Sequence, residues 1–181
     1  MTDTLATVAR DVVALADYVY ERLRSRIEGL TDAEYLWEPA PGCWSVRAGA
    51  DGVHQSDGVG SDPEPAPLTT IAWRLAHVID LVAADRNATW LGLAPTGPSE
   101  ATGEPATAKA ATDRLAQAYG RFRSYISGVE PAALLAPLGP IGGPYAQDTR
   151  LAFVLHQLDE LIHHGAEVGT MRDVYRALHP A

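Results

Sequence analysis

Cysteine is almost absent. Cys43 is the only one in 181 residues, so no intrachain disulfide can form and the composition fits a reducing compartment. Within "PGCWS" it reads as a small packing residue beside a Trp, not as a nucleophile. Basic residues are in deficit, with 14 Lys and Arg against 23 Asp and Glu. The resulting formal net charge of -9 repels phosphate backbones and anionic headgroups, which argues against nucleic acid and membrane surfaces as partners. No run of about 18 apolar residues occurs. The opening "MTDTLATVARDVVALADYVYERL" lacks the basic region and continuous apolar run of an export signal, so a cytoplasmic protein is expected. No convincing strand pair and no internal repeat are visible.

What is present is ordinary globular chemistry, 46% hydrophobic and 20% charged, in a length that suits one domain over 1–181. Four segments, near 4–28, 68–92, 105–128 and 148–178, carry apolar residues at three- and four-residue spacing and read as helices. A short extra turn is expected at Thr31, because "TDAE" has the form of a capping box. The connections are long: 38–67, 93–104 and 129–147 are dense in Pro, Gly and Asp and are read as irregular. Four long helices with little else predict an all-α antiparallel four-helix bundle with long connecting loops. In such a bundle, sites are built from side chains on facing helices.

The last helix contains "DELIHHGAEVG", where a plain packing helix would carry leucine and alanine. At about 100° per residue, Leu151, Val154, Leu155, Leu158, Leu161, Ile162, Gly165 and Gly169 fall on one broad face, the expected core. Glu160 and His164 fall nearly opposite, on a second stripe with Phe153, Gln157, Met171 and Tyr175. Aromatic and Met side chains are unusual on a fully solvated face, so this helix is expected to be covered on two sides. The second helix repeats the arrangement: Ile71, Leu75, Val78, Ile79 and Val82 form its aliphatic face, and His77 lies away from them beside Trp73, Leu81 and Ala84.

If the two stripes face one another, His77, Glu160 and His164 converge. Glu160 and His164 are four residues apart and can reach one cation, and a third ligand from another helix completes a two-His, one-carboxylate set with open positions. The residues alone leave competitors. His156, Glu160 and His164 repeat at four-residue steps, and His163 adjoins them; because three successive turns cannot grip one ion, a second helix must contribute. His54 and His179 receive no role.

These residues lie in three motifs, "LTDAEYLWEPAPGCWSVR", "TTIAWRLAHV" and "HQLDELIHHGAEVGTMRDVYR", through which the chain resembles the DinB/YfiT-like superfamily of four-helix metal-binding proteins. The similarity extends to the branch with mycothiol-dependent enzymes such as maleylpyruvate isomerase. The resemblance implies metal ligands at His77, Glu160 and His164. Glu160 stands where many members have a third histidine. It further implies one divalent ion, zinc first and Ni, Fe or Mn as alternatives, and a metal- and thiol-dependent transferase or isomerase that joins a low-molecular-weight thiol to a small-molecule electrophile. A homodimer is a further implication. A metal-dependent hydrolase and a non-catalytic, stress-linked metal-binding module are the competing expectations. His163 is the candidate for a catalytic or ligand-supporting role, and Trp44, Arg47, Trp73, Phe153 and Met171 are candidates for a pocket wall. The 48–67 insertion separates the Trp-Ser-Val segment from the histidine helix, where simpler members run directly on.

Overall fold

In the computed structural model, which describes residues 2–58, 60, 63–97 and 102–180, the apolar spacing of the first segment produces α1 (Thr2–Ile27). Ala16, Val19, Leu23 and Ile27 are buried along one side of it. The capping box then forms a single turn, α2 (Asp32–Tyr35): Thr31 Oγ1 accepts from the Glu34 amide and the Glu34 carboxylate accepts from the Thr31 amide. Three further helices also start on a threonine whose hydroxyl accepts an amide three residues on, the preferred N-terminal cap. They are α3 (Ile71–Ala83) after Thr70, α5 (Ala108–Gly128) after Thr107 and α6 (Arg150–Leu178) after Thr149.

The expected helix over 68–92 is two helices. The first, α3, ends at Ala84, whose ψ of 131° leaves the helical region, and a short α4 (Arg86–Trp90) follows. Asn87, fully buried, fixes this break by donating from Nδ2 to the Leu81 and Val82 carbonyls, which take no partner from a continued helix.

The reading of 38–67 as wholly irregular is corrected. Val46–Ala48 (β1) and His54–Ser56 (β2) pair antiparallel, with Arg47 opposite Gln55. The polar composition hides so short a hairpin, since three-residue strands carry little alternation to read. Two 3-10 segments, Pro131–Leu135 and the kinked Gly139–Tyr145, also interrupt the connection into α6.

The described residues are all-α apart from this hairpin. Helices α1 and α3 each pack against both α5 and α6. One apolar cluster joins Leu23, Leu75, Ile79, Leu115, Phe122, Val154, Leu158 and Leu161 from these four helices. Helix α6 is covered on two sides, with Val154, Leu158 and Leu161 buried on one and Phe153, Gln157 and His164 on the other. Leu155, expected in the core, is instead 45% exposed at the margin of that face. A Cβ at Gly169 would meet Arg26 Nε at 2.9 Å, and the missing side chain lets Arg26 donate to the Gly169 carbonyl at 2.7 Å. No described helix is long and apolar enough to cross a membrane.

Candidate metal centre

Helix α3 supplies one imidazole and α6 supplies a second with a carboxylate one turn away. His77 Nε2 and His164 Nε2 lie 3.3 and 3.1 Å from the same oxygen, Glu160 Oε2. The two rings meet edge to face with centroids 4.7 Å apart. One donor atom from each of the three residues falls within 4.8 Å of the others, a spacing that one cation can bridge. His164 is buried, while His77 and Glu160 are half-buried, so the donors are partly shielded from solvent.

The charge states suit donation. Burial pulls the His77 imidazole below its ordinary range, and this outweighs the Glu160 carboxylate that favours the charged ring. Burial pushes Glu160 upward, but the hydrogen bond from His77 and the charges of His164 and His77 prevail, and its carboxyl lies below the usual range. The ionised carboxylate presents lone pairs, and His77 Nε2, which faces it, becomes a ligand atom when its hydrogen-bonding proton leaves.

The opposite side of His164 is held as well. Its Nδ1 lies 2.7 Å from Glu167 Oε2, and Arg74 Nε pairs with that same oxygen at 3.0 Å. Arg74 Nη1 also lies 3.2 Å from His164 Nδ1, but Nδ1 cannot donate to Glu167 and accept from Arg74 together. The shorter, charge-assisted contact decides for donation to Glu167. With the Nδ1 proton held by Glu167, Nε2 is the atom that would serve as a ligand, the arrangement in which a carboxylate orients a metal-binding histidine. His163, Glu167 and His164 form a second group of compatible spacing. Glu167 in that group is already engaged by Arg74 and His164, and His163, 3.3 Å from Glu167 Oε1, is exposed.

His77 is held from behind. Trp73 stacks on its ring at 5.5 Å with planes 11° apart, and Trp73 Nε1 donates to the Asp57 carbonyl at 2.9 Å. The Asp57 carboxylate accepts from the Ser45 amide and from Arg47 Nε. The end of the hairpin therefore reaches the metal-site helix through Trp73. This gives part of the 48–67 insertion a place: it buttresses the imidazole.

The residues proposed for a pocket wall are dispersed. Trp44 packs on Trp73 at 5.8 Å. Arg47 pairs with Asp57 and with Glu38, and Met171 lies against the apolar core. Phe153 lines a pocket of about 410 Å³ with Trp90, His156 and Gln157, and His156 takes no part in the donor cluster. Beside His77 a separate open cleft of about 470 Å³ runs along α3 past Leu81 to Arg86. Cys43 is buried. The sequence pattern singled out neither Arg74 nor Glu167. The available signal was spacing, since each lies three residues from a donor histidine on the same helix.

Against models of known protein families, the chain matches that of the DinB superfamily over residues 15–168. No curated protein and no solved structure gives a match.

Proposed function

The chain belongs to the DinB superfamily, and on that premise we propose that it binds one divalent cation through His77, Glu160 and His164. The observation that carries the reading is the meeting of three donor atoms from two helices within 4.8 Å. Two imidazoles and one carboxylate suit zinc first and also accommodate Ni, Fe or Mn. Three protein donors leave positions for a reactant, as catalytic sites do. Glu160 brings the negative charge, Trp73 fixes the plane of His77, and Glu167, steadied by Arg74, keeps the His164 proton on Nδ1.

Of the activities open to such a centre, we propose thiol-dependent transfer to, or isomerisation of, a small electrophile in the cytoplasm. A bound ion would supply the positive charge that favours the thiolate of a small thiol over its neutral form. With Glu160 ionised, a divalent ion here keeps a net charge of about +1, which suits a soft sulfur donor. Hydrolysis needs a base free to take a proton. The nearest groups of that kind are engaged, Glu167 by Arg74 and His164, and His163 by Glu167.

The test mixes metal-loaded protein with a panel of small thiols, including mycothiol, and the electrophile monochlorobimane. Conjugation that needs both metal and thiol, and that is lost in His164→Ala, is the expected result. Thiol-independent cleavage of an ester or amide, lost in the same variant, would move the assignment to a hydrolase. A stoichiometric metal without turnover across the panel would leave a binding module.

A further inference from the structure

Among the buried polar atoms without a hydrogen-bond partner, Gln157 Oε1 belongs to a residue that lines a cavity. Gln157 is 2% exposed, yet its Oε1 has no hydrogen-bond partner among the described residues. It lies one turn before Glu160 on α6 and contributes to the wall of the 410 Å³ pocket. A leucine of similar volume would fill the same space without stranding an acceptor, so the amide destabilises the free protein unless something else uses it.

The rest of that wall indicates what would use it. Trp90 and Phe153 pack at 4.9 Å with rings tilted by 58°, which gives the pocket an aromatic side for a flat apolar body. Arg86 lies over Trp90, its Cζ 5.9 Å from the ring centroid, and no carboxylate among the described residues is in ion-pair reach of it. Arg86 also lines the cleft that opens beside His77, so it stands where the two cavities meet. The acidic group of the wall, Asp148, is solvent-exposed, where water screens it.

We propose that this pocket binds a small carboxylate with a flat apolar body and an N–H or O–H donor. The body lies against Trp90 and Phe153, the Gln157 amide turns its buried Oε1 toward the donor, and Arg86, which lines both cavities, pairs with the carboxylate. The inference rests on the metal-centre reading only in taking this molecule as the electrophilic reactant; binding itself does not need the ion.

The probe is indole-3-acetate, compared by titration calorimetry with its primary amide and with 1-methylindole-3-acetate. Wild-type protein should bind the acid saturably. The N-methyl compound, which has lost its donor, and the amide, which has lost its charge, should each bind about tenfold more weakly. Gln157→Leu should erase the N-methyl difference and melt no lower than wild type, because it removes an unpaired acceptor. Arg86→Gln should erase the difference between acid and amide. Removing metal from wild type with a chelator should keep acid binding within about threefold. Absence of saturable binding to wild type, with and without zinc, overturns the proposal. So does a Gln157→Leu protein that melts lower than wild type and still discriminates against the N-methyl compound. A wild type that binds the acid but retains no metal would sink the metal reading and leave the pocket standing.

Discussion

Glu167 grips the Nδ1 edge of His164 at 2.7 Å while Arg74 grips the same Glu167 oxygen at 3.0 Å, so the ring that faces Glu160 is fixed from behind by an ion pair spanning α3 and α6. Removing the carboxylate should leave the three donors in place but free the ring to turn and change tautomer. Glu167→Ala is expected to weaken zinc affinity by about 10- to 100-fold without loss of helical content. Competition with a chromophoric chelator measures this. Wild-type affinity in the variant would remove Glu167 from the account.

A second ion pair makes a structural prediction. Glu34, in the capping box of α2, accepts from Arg172 Nε at 2.9 Å and from Arg176 Nε at 3.0 Å. Arg172 Nη1 also donates to the Arg26 and Glu28 carbonyls at the end of α1. Burial raises the Glu34 carboxyl, but these arginines and the Thr31 amide outweigh it and bring it from an ordinary 4.5 down to about 2. A depressed acid stabilises the fold above its unfolded pKa, so this contribution, about 3 kcal/mol, is present above pH 4.5 and fades as pH falls toward 2. Arg172→Met should cost about 3–5 kcal/mol at neutral pH because it strands a buried carboxylate. Adding Glu34→Gln should recover part of the loss. Denaturant melts of the single and double variants at pH 7 and pH 3 check both statements.

Glu104 has the opposite sign. Burial, and then the Asp80 carboxylate, push it up to about 7, with Arg114 pulling the other way. An acid whose pKa is raised in the folded state favours folding at low pH. This contribution is complete below about pH 4.5 and is lost as pH rises through about 7. Glu104→Gln should flatten the thermal stability profile between pH 5 and pH 8. An unchanged slope in the variant would contradict the assignment.

The hairpin rests on one backbone position. Gly58 has φ +77°, and a Cβ there would lie 2.4 Å from the Trp44 ring. Gly58→Ala combines left-handed strain with that clash and should cost about 2 kcal/mol, or about 4–8 °C in melting temperature for a chain of this size. Because the hairpin buttresses Trp73 through Asp57, tryptophan emission should shift in the same variant while the far-ultraviolet helical signal holds.

The helices were legible because their apolar residues repeat with the helical period, and the turn at Thr31 because "TDAE" has the form of a capping box. The second covered stripe of α6 was legible too, since aromatic and Met side chains such as Phe153 and Met171 are poor choices for solvent. The hairpin was not, because strands of three residues leave too short a pattern, and neither was the break at Ala84. That break depends on the buried Asn87 side chain taking the Leu81 and Val82 carbonyls, a contact that helical periodicity does not encode. His77, Glu160 and His164 could be grouped by stripe and resemblance. For the Arg74–Glu167 pair behind them, the three-residue spacing from a donor histidine marks each residue on its own helix, but nothing in the sequence says that the two meet. Arg47 illustrates the limit, for its pairing with Asp57 and Glu38 depends on a turn that composition does not specify.

The central claim is that one ion sits where His77, Glu160 and His164 meet, and elemental analysis of protein purified without an affinity tag or chelator tests it most directly. Wild type and His156→Ala should each hold about one equivalent of a divalent metal, because His156 lies outside the donor cluster. His77→Ala and His164→Ala should hold almost none while remaining helical. Wild-type metal content in the His77 and His164 variants, or metal lost equally from His156→Ala, would contradict it.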